Sequence, residues 1–426
     1  MNDIEDTAGL SVPTALSRPA LSYDASRRLR RRIERARSIE DLRGLARRRL
    51  PRSVFDFFDG GAEDELTLAA NTDAFRKVRL VPKILVDVST VDTSTDILGV
   101  RSALPIMVAP TGAAGFGWPR ADVAIARAAA SRGIPYTLST SGTASIERIA
   151  EEAGGNLLFQ AYILKQREFT ERLIERARAA GYFGLMITVD LPVGGKRERD
   201  YRNDFAIPFR LTPRNLADFS RRPGWAARML LNGVPVLENL AGLSPSTNLA
   251  QAASSVGRNY DSSFDWDDLK VIRDLWPAKL VVKGVVRPDD AEKLDAIGCD
   301  AVVVSNHGGR QLDSGLGSLE ALPGIVAARG GMSVMVDGGI RRGSDVVKAL
   351  ALGADAVLVG RATLYGACAG GESGAARALE ILSEELTRTM QLCGARFISE
   401  ICNDLVWRST RDDDCGCVEG SGDCHS

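Results

Sequence analysis

Between residues 104 and 360 the chain alternates two patterns. Short, unbroken apolar runs rich in Val, Ile and Leu occupy 104–109, 136–140, 157–162, 185–190, 280–284, 301–306, 334–339 and 356–360. Between them lie segments with apolar residues every three or four positions, such as 120–131, 168–180, 288–297 and 344–352. Strands that are apolar throughout bury both faces, as in a parallel sheet covered by helices. Eight such units predict an α/β fold, a TIM (β/α)8 barrel, with a doubly wound sheet as the alternative. A barrel carries its chemistry where its strands end. The polar residues of the repeat gather there: Gln160 and Tyr162, Thr188 and Asp190, Lys283, Ser305 and His307, Asp337 and Arg361.

Three segments break the pattern and set the domain boundaries. Residues 1–37 end in an arginine-rich stretch and read as a flexible extension; Leu29, Ile33 and Ala36 share one face of a helix that is expected to be solvated, with a membrane-surface helix as the other reading. The barrel domain spans 38–410, opening at Ser38-Ile39-Glu40-Asp41, which can cap a helix. About 60 residues (202–264) follow the fourth strand, a length that in a compact barrel marks a lid or a disordered segment. Phe219, Trp225 and Met229-Leu230-Leu231 favour a segment that packs or binds. Residues 411–426 hold Cys415, Cys417, Cys424 and His425 among acids and glycines, and read as a disordered tail ahead of a soft-metal site.

Composition narrows the function classes. With 54 Lys and Arg against 55 Asp and Glu, the net charge of −1 provides no general attraction to nucleic acid. No stretch resembles a transmembrane helix or a signal peptide, and seven cysteines, an odd and mostly scattered number, suit reduced thiols. The expected location is cytoplasmic.

The chemistry concentrates in Ser305-Asn306-His307-Gly308-Gly309-Arg310-Gln311-Leu312-Asp313, directly after an apolar strand. Of two histidines, His425 is the penultimate residue, so His307 is the imidazole placed for acid–base work. Arg310 offers a two-pronged clamp for a carboxylate. Asp190, at the end of the fourth strand, is positioned to orient the imidazole and stabilise its protonated form. Lys283 ends an apolar strand and needs an anionic partner in the barrel mouth. The seventh and eighth strands run into Asp337-Gly338-Gly339-Ile340-Arg341 and Gly360-Arg361. Paired glycine–arginine turns after those two strands point to a phosphorylated cofactor. No strand-linked G-x-G-x-x-G or P-loop supports a nicotinamide or nucleoside triphosphate.

These residues resemble the FMN-dependent 2-hydroxy acid oxidases and dehydrogenases, and most of all the family's (S)-mandelate and L-lactate dehydrogenases. The likeness spans roughly residues 38–407, through Gly60-Gly61-Ala62-Glu63-Asp64, Pro110-Thr111-Gly112, Trp118-Pro119, Phe159-Gln160-Ala161-Tyr162 and Arg361-Ala362-Thr363-Leu364-Tyr365-Gly366. It implies FMN as cofactor, with His307 as base, Asp190 as its partner, Arg310 and Arg197 on the substrate carboxylate, and Tyr162 near the substrate hydroxyl. It places Lys283 at the flavin ring edge, Ser139, Gln160, Thr188 and Ser305 along ring and ribityl chain, and Asp337, Gly339, Arg341, Gly360 and Arg361 on ribityl and phosphate. The family's carboxylate-binding tyrosine is Phe57 here; a hydrogen bond to a charged group is worth about 1.5–3 kcal/mol, so simple lactate or mandelate is less secure as substrate. Gly112 stands where fast oxidases have alanine, and Ser141 where glycolate-type members have a large aromatic side chain.

The expected activity is oxidation of a bulky or aromatic (S)-2-hydroxy acid, with electrons passed to a quinone or a protein. The expected partners include no nucleic acid; peripheral contact with the inner face of a membrane stays open, and the resemblance implies a homotetramer. The rivals are an oxidase using O₂, a tailoring enzyme acting on a peptide or carrier-bound substrate, and a non-enzymatic FMN-binding scaffold or sensor.

Overall fold

The computed structural model describes residues 23–207, 209, 212–241, 243 and 259–407. Eight parallel strands close on themselves: β3 (Ile106–Val108), β4 (Tyr136–Ser139), β5 (Leu157–Ala161), β6 (Gly184–Thr188), β7 (Lys279–Val285), β8 (Ala301–Val304), β9 (Ser333–Val336) and β10 (Ala356–Val359), with β10 pairing back to β3. The eight runs seen in the sequence are these strands, in order. Val302 and Val304 pack outward into the helical shell, whereas Met107, Leu158, Met186, Val281, Val303, Met335 and Leu358 fill the interior. Both sets are buried, which is why the strands read as unbroken apolar runs. A short hairpin, β1 (Thr95–Ile97) with β2 (Val100–Ser102), adds Ile97 to that interior.

Helices cover the outside, and local chemistry sets their ends. Between β3 and β4 runs α5 (Ala121–Ala130); between β5 and β6, α7 (Arg167–Ala179). The helix Pro288–Ile297 starts on a proline and stops at Gly298, φ 83°, as helix termini favour. Ser38 caps α2 (Ile39–Arg49) by accepting from the Asp41 N–H, as expected.

Ahead of the barrel, α1 (Tyr23–Glu34) departs from the expected solvated helix. Ile33 and Ala36 are buried and Leu29 is partly so. Ile33 packs on Gly370, and Arg377 donates two hydrogen bonds to the Ala36 carbonyl. The arginines of α1 mark its outer face; they do not show that the helix is detached. After β6, the long connection forms α8 (Glu198–Arg202), α9 (Pro213–Ser220) and α10 (Pro223–Asn232). Trp225 is buried there and donates its indole N–H to the Phe116 carbonyl at 2.8 Å, so this part packs on the barrel. Leu230 and Leu231 instead face solvent. The tail with Cys415, Cys417, Cys424 and His425 lies outside the described residues. Among the described residues, no group of three or more His, Cys, Asp or Glu side chains could hold a metal, and no helix is long and apolar enough to cross a membrane.

Candidate active site

The turn after β8 adopts an unusual backbone that its sequence permits. His307, Gly308 and Gly309 are consecutively left-handed, at φ 58°, 64° and 73°. Glycine tolerates this at no steric cost; a histidine does not, and such strain concentrates at functional sites. A side chain at Gly308 would meet the Arg361 guanidinium at 2.6 Å. Two anchors hold the turn: the His307 N–H donates to Ser305 Oγ at 3.1 Å, and the Asn306 and Asn71 side-chain amides pair reciprocally at 2.8 and 2.9 Å.

From this turn the imidazole reaches Asp190, with Nδ1 donating to Oδ1 at 2.8 Å. With Nδ1 turned to Asp190, the other ring nitrogen, Nε2, lies 3.4 Å from the Tyr162 hydroxyl. Burial would raise the Asp190 carboxyl, but His307 and Lys283 outweigh it and hold it below the usual carboxylate range. Burial and the nearby Asp190 push the Tyr162 phenol up to about 12, so it stays neutral and able to donate.

Strand register places Thr188 beside Lys283 and Ser139 beside Gln160. Lys283 is buried and bonds Ser305 Oγ at 2.8 Å and Asp337 Oδ2 at 3.0 Å, so Asp337 is the anionic partner the sequence required. Burial opposes the Lys283 charge, yet Asp337 and Asp190 hold its pKa above the usual lysine value.

A cavity of about 780 Å³ opens at this end of the barrel, within the range of ligand and cofactor sites. Its wall includes Phe57, Tyr162, Thr188, Arg197, Lys283, His307 and Arg310, with Asp337, Gly339, Arg341, Gly360 and Arg361 on the side of β9 and β10. Asp190, Ser139, Gln160 and Ser305 do not line it; they stand behind the residues that do. Four buried polar atoms at these strand ends have no partner among the described residues: Gln160 Nε2, Thr188 Oγ1 and Asp337 Oδ1, with Asp190 Oδ2 behind them. An unsatisfied buried polar group costs roughly 1–3 kcal/mol. Two donors and a carboxylate oxygen left open beside a buried lysine fit a polar-edged ring carrying a hydroxylated chain, which is the chemistry of FMN. On the side of β9 and β10, Arg361 already donates to the Phe58, Gly60 and Gly308 carbonyls, whereas among the described residues the Arg341 guanidinium donates only to the Ile340 carbonyl and is the freer cation.

Across the cavity, the Phe57 ring lies between two guanidiniums, Arg197 at 5.6 Å and Arg310 at 5.3 Å from its centroid, and stacks on Phe205 at 4.5 Å. Asp200 holds Arg197 at 2.7 Å; the Phe57 and Gly60 carbonyls hold Arg310. Burial, with Arg197 and Arg361 nearby, pulls Arg310 below the ordinary arginine range, leaving a cation that an anion would relieve. All the sequence-derived site residues therefore converge on this one cavity or its supporting layer. Sequence reasoning missed Tyr260, whose ring packs 5.2 Å from that of Tyr162, and Phe205 and Asn71. Tyr260 and Phe205 lie in the aperiodic connection and Asn71 on a helix outside the repeat, where no pattern marked them.

The FMN-dependent dehydrogenase family model matches residues 46–408. The chain is 43% identical over 369 residues to (S)-mandelate dehydrogenase of Pseudomonas putida, covering 87% of this chain and 93% of the relative. It is also 43% identical over 372 residues to L-lactate dehydrogenase of Caulobacter vibrioides, covering 87% and 97%. A crystal structure of the monotopic membrane protein (S)-mandelate dehydrogenase superposes with a TM-score of 0.85 at 42% identity, covering 88% of this chain and all of that one. With a shared barrel, a cavity fitted to a flavin and identity of this extent, the chain belongs to the FMN-dependent dehydrogenase family.

Proposed function

We propose that this enzyme oxidises a bulky or aromatic (S)-2-hydroxy acid to the 2-oxo acid and passes the electrons to a quinone or another non-oxygen acceptor. The observation that carries the reading is the His307–Asp190 pair, whose imidazole lines the same cavity as Arg197 and Arg310. When bound, FMN supplies the two-electron acceptor. The protein supplies the rest. Arg310 and Arg197 bind the substrate carboxylate, and the neutral Tyr162 hydroxyl steadies the substrate oxygen beside Nε2. His307 takes a proton at Nε2, and Asp190 stabilises the imidazolium without itself becoming protonated. Lys283, kept charged by Asp337 and Asp190, would stabilise negative charge on a bound flavin ring. Gln160, Thr188, Ser139 and Ser305 would support the ring and ribityl chain of FMN, and Asp337, Gly339, Arg341, Gly360 and Arg361 would hold its ribityl and phosphate groups.

Gly112 and Ser141 adjoin in the cavity wall; a methyl at Gly112 would sit 3.1 Å from Ser141 Cβ. Two small residues leave volume for an aryl or long apolar group, each buried CH₂ contributing about 0.8 kcal/mol. The relative described as monotopic supports peripheral membrane association for this chain too, consistent with the exposed Leu230 and Leu231. The test compares kcat/KM for glycolate, lactate, (S)-mandelate and a long-chain 2-hydroxy acid with a quinone-like dye, and reoxidation by the dye with reoxidation by O₂. The bulkier acids and the dye are expected to win. A preference for glycolate, or O₂ reacting as fast as the dye, overturns the substrate or acceptor assignment respectively.

A further inference from the structure

A second cavity, of about 810 Å³, lies outside the active site and has no part in the chemistry above. Its wall brings together six arginines: Arg47 of α2; Arg52, the first residue of the helix Arg52–Asp59; Arg199 and Arg202 of α8; Arg214 of α9; and Arg222 just before α10. One carboxylate, Asp56, lines it with them, and it is already shared by Arg52 at 3.3 Å, Arg199 at 3.8 Å and Asn203 at 2.8 Å. Arg199 is held further by Asp59 and Glu65, Arg202 by Glu198, and Arg222 by the Leu50 and Arg221 carbonyls. Arg47 and Arg214 have no carboxylate partner among the described residues, and both are exposed. Positive charge is therefore concentrated and only partly neutralised in a concave site, although the chain as a whole is nearly neutral.

We propose that this cleft binds the phosphate of a phosphate ester. Guanidinium forks converging from several elements match a tetrahedral phosphoryl group, whose non-bridging oxygens point in different directions, better than a planar carboxylate. The volume exceeds that of phosphate alone, and the buried Leu50 and Phe55 in the wall offer apolar surface to the esterified part. The ester comes either from an anionic phospholipid headgroup, for which the exposed Leu216, Leu230 and Leu231 on α9 and α10 would be suitably placed, or from a free phosphorylated metabolite.

The test uses the FMN-loaded enzyme, the double variant Arg47→Gln/Arg214→Gln, and a control losing the same charge elsewhere, Arg132→Gln/Arg388→Gln. sn-Glycerol 3-phosphate binding is measured by calorimetry, and co-sedimentation is measured with phosphatidylglycerol and with phosphatidylcholine vesicles. The double variant is expected to bind at least tenfold more weakly than wild type or control in one arm, with hydroxy acid turnover by the soluble assay unchanged. Saturable one-to-one glycerol phosphate binding assigns the free ester; binding confined to phosphatidylglycerol vesicles assigns the headgroup. The proposal fails if neither probe binds, or if the control loses as much as the double variant. Turnover is read separately, so either result leaves the active-site assignment to its own test.

Discussion

Phe57 shows how one atom changes the demands on a site. Its ring keeps the place and the stacking of an aromatic anchor, between Arg197 and Arg310 and against Phe205, but it has no hydroxyl to give a carboxylate. Phe57→Tyr restores such a donor, and a hydrogen bond to a charged group is worth about 1.5–3 kcal/mol. Steady-state kinetics with a soluble 2-hydroxy acid should therefore show KM falling about tenfold or more at little change in kcat; an unchanged KM would mean that the carboxylate does not bind at this ring. At this scale the sequence was most legible in the turn at His307, where the residue types dictate both the left-handed backbone and the chemistry. It was least legible at Tyr260. That residue reaches Tyr162 only because its chain returns beside Leu164, a pairing across about 100 residues that no local pattern encodes.

Among elements, the helix carrying Phe57 depends on Asp59 at its end. Arg43 of α2 binds this carboxylate at 2.6 and 2.8 Å, Arg199 of α8 at 3.3 Å, and the Tyr365 hydroxyl at 2.7 Å. Burial alone would raise its pKa, but Arg43 and Tyr365 outweigh it and hold Asp59 at about 2. A depressed carboxylate stabilises the fold above its unfolded pKa and ceases to do so as pH falls through its folded one. Asp59 thus contributes about 2 kcal/mol at neutral pH, lost between about pH 4 and pH 2. Urea unfolding of Asp59→Asn should show a loss of roughly 3 kcal/mol or more, since a buried pair is broken on one side, and a flatter acid limb than wild type. Equal acid limbs would remove Asp59 from the account. The barrel strands were legible because burial on both faces leaves a continuous apolar signal, with boundaries off by at most three residues. The helices after β6 were not, because α9 and α10 are half exposed and carry leucines on their open sides.

For the whole molecule, the net charge of −1 conceals local order: arginines gather on α1 and outnumber the carboxylates in the wall of the second cavity six to one. Net charge argued against a general polyanion binder but had no means to locate that cluster. Removing residues 412–426 should leave turnover of a soluble substrate unchanged, because the barrel strands and every site residue named above lie between Phe57 and Arg361; lost activity together with a lost stoichiometric metal would show that the tail has a catalytic role.

The central claim is that His307 works as the base in a flavin-dependent oxidation of a 2-hydroxy acid. It is tested most directly by mixing the yellow FMN-loaded enzyme anaerobically with (S)-mandelate in a stopped-flow instrument. The flavin absorbance of wild type should bleach fully, and His307→Ala should retain FMN yet bleach more slowly by on the order of 10²–10⁴. A His307→Ala enzyme that bleaches at the wild-type rate, or a wild-type flavin that no 2-hydroxy acid bleaches, would contradict the claim.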